Sequence, residues 1–416
     1  MSTPTTVTAD RRPAPRPRGE GPSAAAVFLA ALLLVLGSVS WRRGEYFDGS
    51  LDPVVVAKAV VGVLALGLAF VLAHSGVRHR LGTGSLWFLG LVLTCSVFGA
   101  LTAGHLVAGG VVAVRAALVG GTVFLLLRAA PAIVVLTALI RACVVVAVLA
   151  AVTGLPSSAD GRLSGGIPAI DPNELALLAG VGVLYVAWRM VLDDAGPAHG
   201  LAAAGLLAII WASGSRTALL MLGLGVLLVL VHLRRPRPGL VIGSLVFVAG
   251  TAVAVAVTGA VGEFLSRGGD GSSTLDSRFI AWRAALTWAD SAWQTAFGGG
   301  LSVKIIRVQG QYWDTQPLDS SWVSLLVQAG WLGVVLAAVW VLWILRGVLA
   351  AARPHRVLLL GLLAFLLGRS VLESGLFDAS VAFTLFVAIS LVAERGSRER
   401  LRAEATPGPL PAPTTR

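Results

Sequence analysis

The sequence predicts an all-α integral membrane protein, threaded about twelve times through a bilayer. Composition, run length and charge placement predict it. Of 416 residues, 56% are hydrophobic and 13% charged, with a mean hydropathy of +0.85, too apolar for a soluble domain to cover itself. Apolar runs of roughly 18 or more residues recur, each long enough to cross a ~30 Å hydrocarbon core as a helix. In lipid the backbone must satisfy its own hydrogen bonds, which selects helices. The alternating, roughly 10-residue segments of a barrel are not seen. The net charge of +11 is spread over short loops between the runs, the pattern of topology signals rather than of nucleic-acid binding.

In chain order, residues 1–22 carry Arg11, Arg12, Arg16, Arg18 and five prolines, the composition of a disordered basic tail. Spans follow near 24–41, 53–73, 84–103, 108–128, 132–153, 173–192, 200–214, 216–233 and 239–261, so that 23–261 holds the first nine. The first run ends in Ser-Val-Ser, faintly like a signal-peptidase site. Residues 262–318 form a long loop, 319–394 the last three spans (319–345, 356–373, 377–394), and 395–416 a tail. The positive-inside rule places the N-terminal tail, Arg78, Arg80, Arg128, Arg234, Arg235 and Arg237 in the cytoplasm. Arg346, Arg353, Arg356, Arg395, Arg398, Arg400 and Arg402 join them. Both termini are then cytoplasmic, in a multi-pass protein of the cell membrane. The loops at 154–172, 213–216 and 262–318 fall outside. A loop of that last length is usually functional, and residues 276–294 read as one amphipathic helix on the membrane surface. Phe279, Trp282, Leu286 and Trp293 would face the membrane or the protein body. Cys95 and Cys143 lie inside apolar runs and read as small core residues, with no disulfide or metal-ligand spacing. No internal repeat stands out, which disfavours transporters built from duplicated halves.

Three outer segments carry unusual chemistry. The first runs from Arg162 through glycines to Asp171-Pro172-Asn173-Glu174, which also reads simply as a capped helix start with an early proline. The second is Ser213-Gly214-Ser215-Arg216-Thr217-Ala218. Its arginine, at the membrane boundary, either snorkels or donates bidentate hydrogen bonds to a phosphate. The third is the long loop, with Arg278 and Arg283 on its helix. Lys304 and Arg307 lie beyond Gly298-Gly299-Gly300, and Asp319-Ser320-Ser321-Trp322 opens the tenth span. Asp319 reads either as that span's N-cap or as a base. Arg369 and Glu373, spaced i,i+4, read as an intramembrane ion pair. Arg115 and Arg141, within spans four and five, have no assigned role.

In this order and on this face, the three segments resemble the O-antigen ligase and O-antigen polymerase family. The resemblance lies in Arg162-Leu163-Ser164-Gly165 leading to Pro172-Asn173, and in Ser215-Arg216-Thr217-Ala218 at a span entrance. It continues through Arg278-Phe279-Ile280-Ala281-Trp282, the turn Gly298-Gly299-Gly300, and a helix ending in Gly330-Trp331-Leu332-Gly333. Where the ligase pattern has His-Asn, this chain has Asp319-Ser320.

The resemblance implies a C-type glycosyltransferase-like fold. It also implies metal-independent transfer of an undecaprenyl-diphosphate-linked glycan, with no cofactor. Arg216 and Arg278 would receive the diphosphate, with Arg283 and Arg162 beside them, and Asp319 would take the acceptor proton. Pro172, Asn173, Ser215, Trp282, Gly298 and Gly300 would shape the substrate loop. The expected product is a cell-envelope exopolysaccharide polymerised from repeat units, with membrane lipid, a flippase and chain-length-control proteins as companions. Alternatives are en bloc ligation of a finished glycan to protein, lipid or wall, transport of lipid-linked glycans, and a catalytically dead scaffold.

Overall fold

A computed structural model describes residues 22–42, 52–75, 79–192, 196–231, 274–308 and 314–405. The expected ninth span, the start of the long loop and most of both tails lie outside those residues. Among the described residues, the regular structure apart from one hairpin is helical. The helices are α1 (Ala24–Ser38), α2 (Pro53–Ser75), α3 (Gly84–Thr102), α4 (Leu106–Ala129), α5 (Ala132–Thr153), α6 (Pro172–Val191), α7 (Pro197–Ser213) and α8 (Arg216–Val231). Beyond 273 come α9 (Thr274–Leu286), α10 (Ala292–Phe297), α11 (Ser321–Leu349), α12 (Arg353–Leu372), α13 (Val381–Val392) and α14 (Arg395–Ala405). Among the described residues, seven helices are long and apolar enough to cross a membrane: α2 to α6, α11 and α12. That is the architecture of a multi-pass membrane protein. α1, α7, α8 and α13 are apolar but shorter.

Local chemistry sets the helix ends. Ser23 and Ser380 cap α1 and α13 by accepting the N–H groups of Ala26 and Phe383, satisfying donors that a helix start leaves open. Pro172 and Pro197 sit in the first turns of α6 and α7, where a missing N–H costs nothing. Gly214, at φ 66°, ends α7 in the left-handed region and lets α8 begin two residues later.

The helices pack through small residues and a few polar crossings, as they must where lipid is as apolar as the core. Trp340 of α11 is buried against Phe386 of α13, and its indole N–H donates to Ser390 Oγ at 2.8 Å. Ser38 and Thr384 share a hydrogen bond of 3.0 Å between α1 and α13. Cys95 and Cys143 are free and buried, as expected of core residues.

Hydrogen bonds sort the helix ends into two groups. At one end, the His79 N–H donates to the Arg128 carbonyl, Ser85 to Glu394, Trp188 to the Pro354 carbonyl and Arg402 to the Ala350 carbonyl. Arg128, Arg353, Arg356 and the arginines of α14 gather there. At the other end, Ser40 donates to Glu174 and Asn173 to Glu373. Alternating helices therefore keep the described basic connections on one side of the bundle.

Two expectations change in the outer segment. Residues 276–294 do not form one helix: α9 stops at Leu286, and Ser291 starts α10 by accepting the Gln294 N–H at 3.1 Å. The side chain of Gln294 in turn accepts the Asp290 N–H at 2.8 Å, fixing the break. After α10, β1 (Ile305–Arg307) pairs antiparallel with β2 (Thr315–Pro317), a hairpin that three-residue strands do not announce in sequence. The expected helix end at Gly330–Gly333 is instead a kink. α11 runs on to Leu349, broken at Gly330 (φ 67°, ψ −172°).

Candidate functional site

A cavity of about 390 Å³ opens at the end of the bundle away from the basic connections. Its floor comes from the start of α6, the end of α12 and the turn from α12 to α13. Arg162 enters from the loop before α6, and Asp319 from the start of α11. These residues span more than half of the chain, and hydrogen bonds and ion pairs link several of them.

Arg162 Nε donates to the Ser213 carbonyl at 2.9 Å, and its terminal nitrogen donates to Asn173 Oδ1 at 3.2 Å. Asn173 Nδ2 donates to Glu373 Oε2 at 3.1 Å. Glu373 lies 3.7 Å from Arg278 of α9, which also lies 3.6 Å from Asp319. The loop before α6, the α7–α8 turn, α9, α11 and the end of α12 are thus held in one polar circuit. Pro172 and Asn173 place the amide by starting α6 at this spot. Ser321 closes the circuit: its N–H and hydroxyl both donate to the Glu373 carbonyl, at 3.1 and 2.7 Å.

The expected pair of Arg369 with Glu373 is rearranged. Glu373 falls just past the last residue of α12, where it turns toward Arg278 and Asn173. Arg369, 5% exposed, instead donates to the Asn173 carbonyl at 2.7 Å and lies over the Phe365 ring. Its Nε, buried and without a hydrogen-bond partner, belongs to a side chain that lines the cavity.

Asp319 is not the N-cap of its helix. Ser320 takes that role, its hydroxyl accepting the Val323 N–H at 3.5 Å. The Asp319 carboxyl is left to face the cavity. Burial raises its pKa above the ordinary carboxylate value, against the opposing pull of Arg278. Lys304, beyond the glycine turn of the long loop, is half-buried and pairs with Asp378. Burial pushes the Asp378 carboxyl up, but Lys304 and further donors outweigh it and hold the group below its usual range.

The remaining expected residues lie around this centre. Arg216 is exposed at the first turn of α8 and Arg283 is exposed on α9; neither lines the cavity. Ser215 is buried in the turn between α7 and α8, and that turn packs on Arg162. Trp282 is half-buried on α9, stacked edge-on to Phe279 at 5.4 Å. Gly298 and Gly300 are buried at positive φ and dock the end of α10 on the kinked α11. Of the expected residues, Arg162, Pro172, Asn173 and Asp319 line the cavity, and Arg278 reaches them from its edge.

Sequence reading missed Asp378 and the Lys304 pair, and misassigned Glu373. A signal was present: Glu373-Ser-Gly-Leu-Phe-Asp378 places two acids in one short turn between spans, in a chain poor in acids. The lining holds five carboxylates (Asp171, Glu174, Asp319, Glu373, Asp378) and two guanidiniums, Arg162 and Arg369. Such a surface offers acceptors to ligand hydroxyls, while cations meet anions at its rim. Among the described residues, no cluster of three or more His, Cys, Asp or Glu side chains is placed to hold a metal.

No family model matches the chain. Nor does a comparison with curated proteins find a significant match.

Proposed function

We propose that this protein is a polyprenyl-diphosphate-dependent glycosyltransferase of the O-antigen polymerase and ligase kind, extending lipid-linked repeat units on the outer face of the cell membrane. One observation carries the reading: segments chosen on motif grounds, at 162–173, 278 and 319, converge on one cavity at one end of the bundle. Twelve spans with both termini cytoplasmic would put that cavity outside, and the expected ninth span belongs to this count.

In this reading the acceptor hydroxyl enters the acid-rich cavity and attacks the anomeric carbon of the donor sugar. The bond from that carbon to the diphosphate oxygen breaks, and the lipid diphosphate leaves with its electron pair. Asp319 takes the hydroxyl proton, a general-base role. Arg278 meets the departing diphosphate, with Arg162, Arg216 and Arg283 around the rim. Cations that receive developing charge commonly supply the largest share of such a rate enhancement.

The test is reconstitution in liposomes with undecaprenyl-diphosphate-linked repeat units, the lipid-linked products being sized by gel. Polymerisation gives a ladder, and Arg278→Ala should reduce it by ~10²–10³-fold with the protein still folded. Normal ladders from both Arg278→Ala and Arg216→Ala would remove the diphosphate clamp. A donor consumed only when a separate glycan acceptor is added would point to ligation.

A further inference from the structure

A second cavity, of about 540 Å³, lies between α1, α2 and α4. Its walls are apolar, built from residues such as Leu34, Val56, Val60, Val111 and Leu118, yet it contains Lys58 and Arg115. Its size falls within the ~300–1,000 Å³ usual for ligand sites.

The cations are what make this groove unusual. Lys58 is the sixth residue of α2 and Arg115 the tenth of α4, about 8 and 14 Å along their helices from the cavity end of the bundle. Ionised groups at such depth are expensive unless paired. No hydrogen bond or ion pair joins Arg115 to a described residue. Lys58 makes one hydrogen bond, to the Ser40 carbonyl at 3.3 Å. The two cations are close enough to repel each other. The acids that act on them are engaged elsewhere: Asp378 with Lys304, and Glu174 with the N–H and hydroxyl of Ser40. Arg42, the remaining nearby cation, is paired with Asp52 at 2.7 Å. The groove therefore has two cations at one end that no carboxylate of the described residues pairs directly, and hydrocarbon walls along its length.

We infer that this groove binds a phosphate-headed membrane lipid, its anionic head between Lys58 and Arg115 and its chain along the wall formed by α2 and α4. A guanidinium and an ammonium together match a phosphate monoester in charge and in donor count. An apolar chain alone would leave both cations uncompensated, and a free phosphate would leave the hydrocarbon wall wet. The site is distinct from the acid-rich cavity, although Asp378 lines that cavity and the next residue, Ala379, lines the groove. The inference stands whether or not the chain transfers glycans.

Two glycines provide a test that spares the fold. A Cβ added at Gly62 or Gly110 would meet nothing within 4 Å, and both glycines line the groove, so a larger side chain there has room to start into it. Full-length protein in phosphatidylcholine nanodiscs would be titrated with dodecyl phosphate, dodecanol and inorganic phosphate. Dodecyl phosphate should bind saturably, and about tenfold or more tighter than either control. Arg115→Gln and Gly110→Phe should each weaken it by about tenfold, with Gly62→Leu as the second plug if Gly110→Phe does not fold. Equal binding of dodecanol, equal binding of inorganic phosphate, or wild-type affinity in Arg115→Gln and the folded plug would each overturn the inference.

Discussion

At Asp319 a single neighbouring residue decides what the side chain can do. Because Ser320 caps α11, the Asp319 carboxyl is not consumed by the helix start and can take part in the cavity beside Arg278. The raised pKa then makes a directional prediction. A base must be ionised, so activity should fall as pH drops through a value above the ordinary carboxylate range, and hold above it. In Asp319→Asn the rate should drop by ~10²-fold or more, and this acid limb should disappear from what remains. A pH–rate profile in liposomes measures both; wild-type turnover in the variant would exclude Asp319 as the base. The cap itself is unaffected, so the variant should melt like the wild type.

At the scale of elements, α11 is broken so that the outer segment can dock. The kink at Gly330 frees the carbonyls of Val327 and Gln328 from ordinary helical bonding. The N–H groups of Gly299 and Gly300 donate to them, at 2.8 and 3.0 Å. Gly330 sits at φ 67°, and a Cβ there would press on the backbone of Ala296 and Phe297. Glycine is required twice over, for conformation and for space. Gly330→Ala should therefore cost ~1–3 kcal/mol in backbone strain alone and detach α10 from α11. A clear fall in melting temperature in detergent is expected, against no fall for Gly90→Ala, which is in open space on α3. Equal melting of the two variants would show that this docking contributes nothing.

Across the described molecule, most charged groups gather toward the two ends of an apolar bundle. Exposed Ser158 lies in the loop near the acid-rich cavity, and Glu399 lies on α14 among the arginines. Both native cysteines are buried, so introduced thiols can be labelled selectively. With the basic end inside, Ser158→Cys should react with a membrane-impermeant maleimide in intact cells, and Glu399→Cys only after lysis. The reverse pattern would invert the topology and place the cavity in the cytoplasm.

Hydrophobic run length and the placement of arginines were enough, by themselves, to determine the helical membrane class and most helix positions. Those signals are local: a run of apolar residues must become a helix in lipid whatever its neighbours do. Arg162, Asn173, Arg278 and Asp319 stand out by their resemblance to a motif pattern, not by run length or charge. Only the tertiary structure decided how they are used. Glu373 could be read as the partner of Arg369 because i,i+4 spacing is visible in sequence. Its approach to Arg278, nearly a hundred residues away, is not. Lys304 with Asp378, Ser320 as the cap in place of Asp319, and the groove that gathers Lys58 and Arg115 depend equally on how helices distant in sequence pack. Packing of that kind is set by shape and small-residue faces along many helices at once, and no single segment contains it.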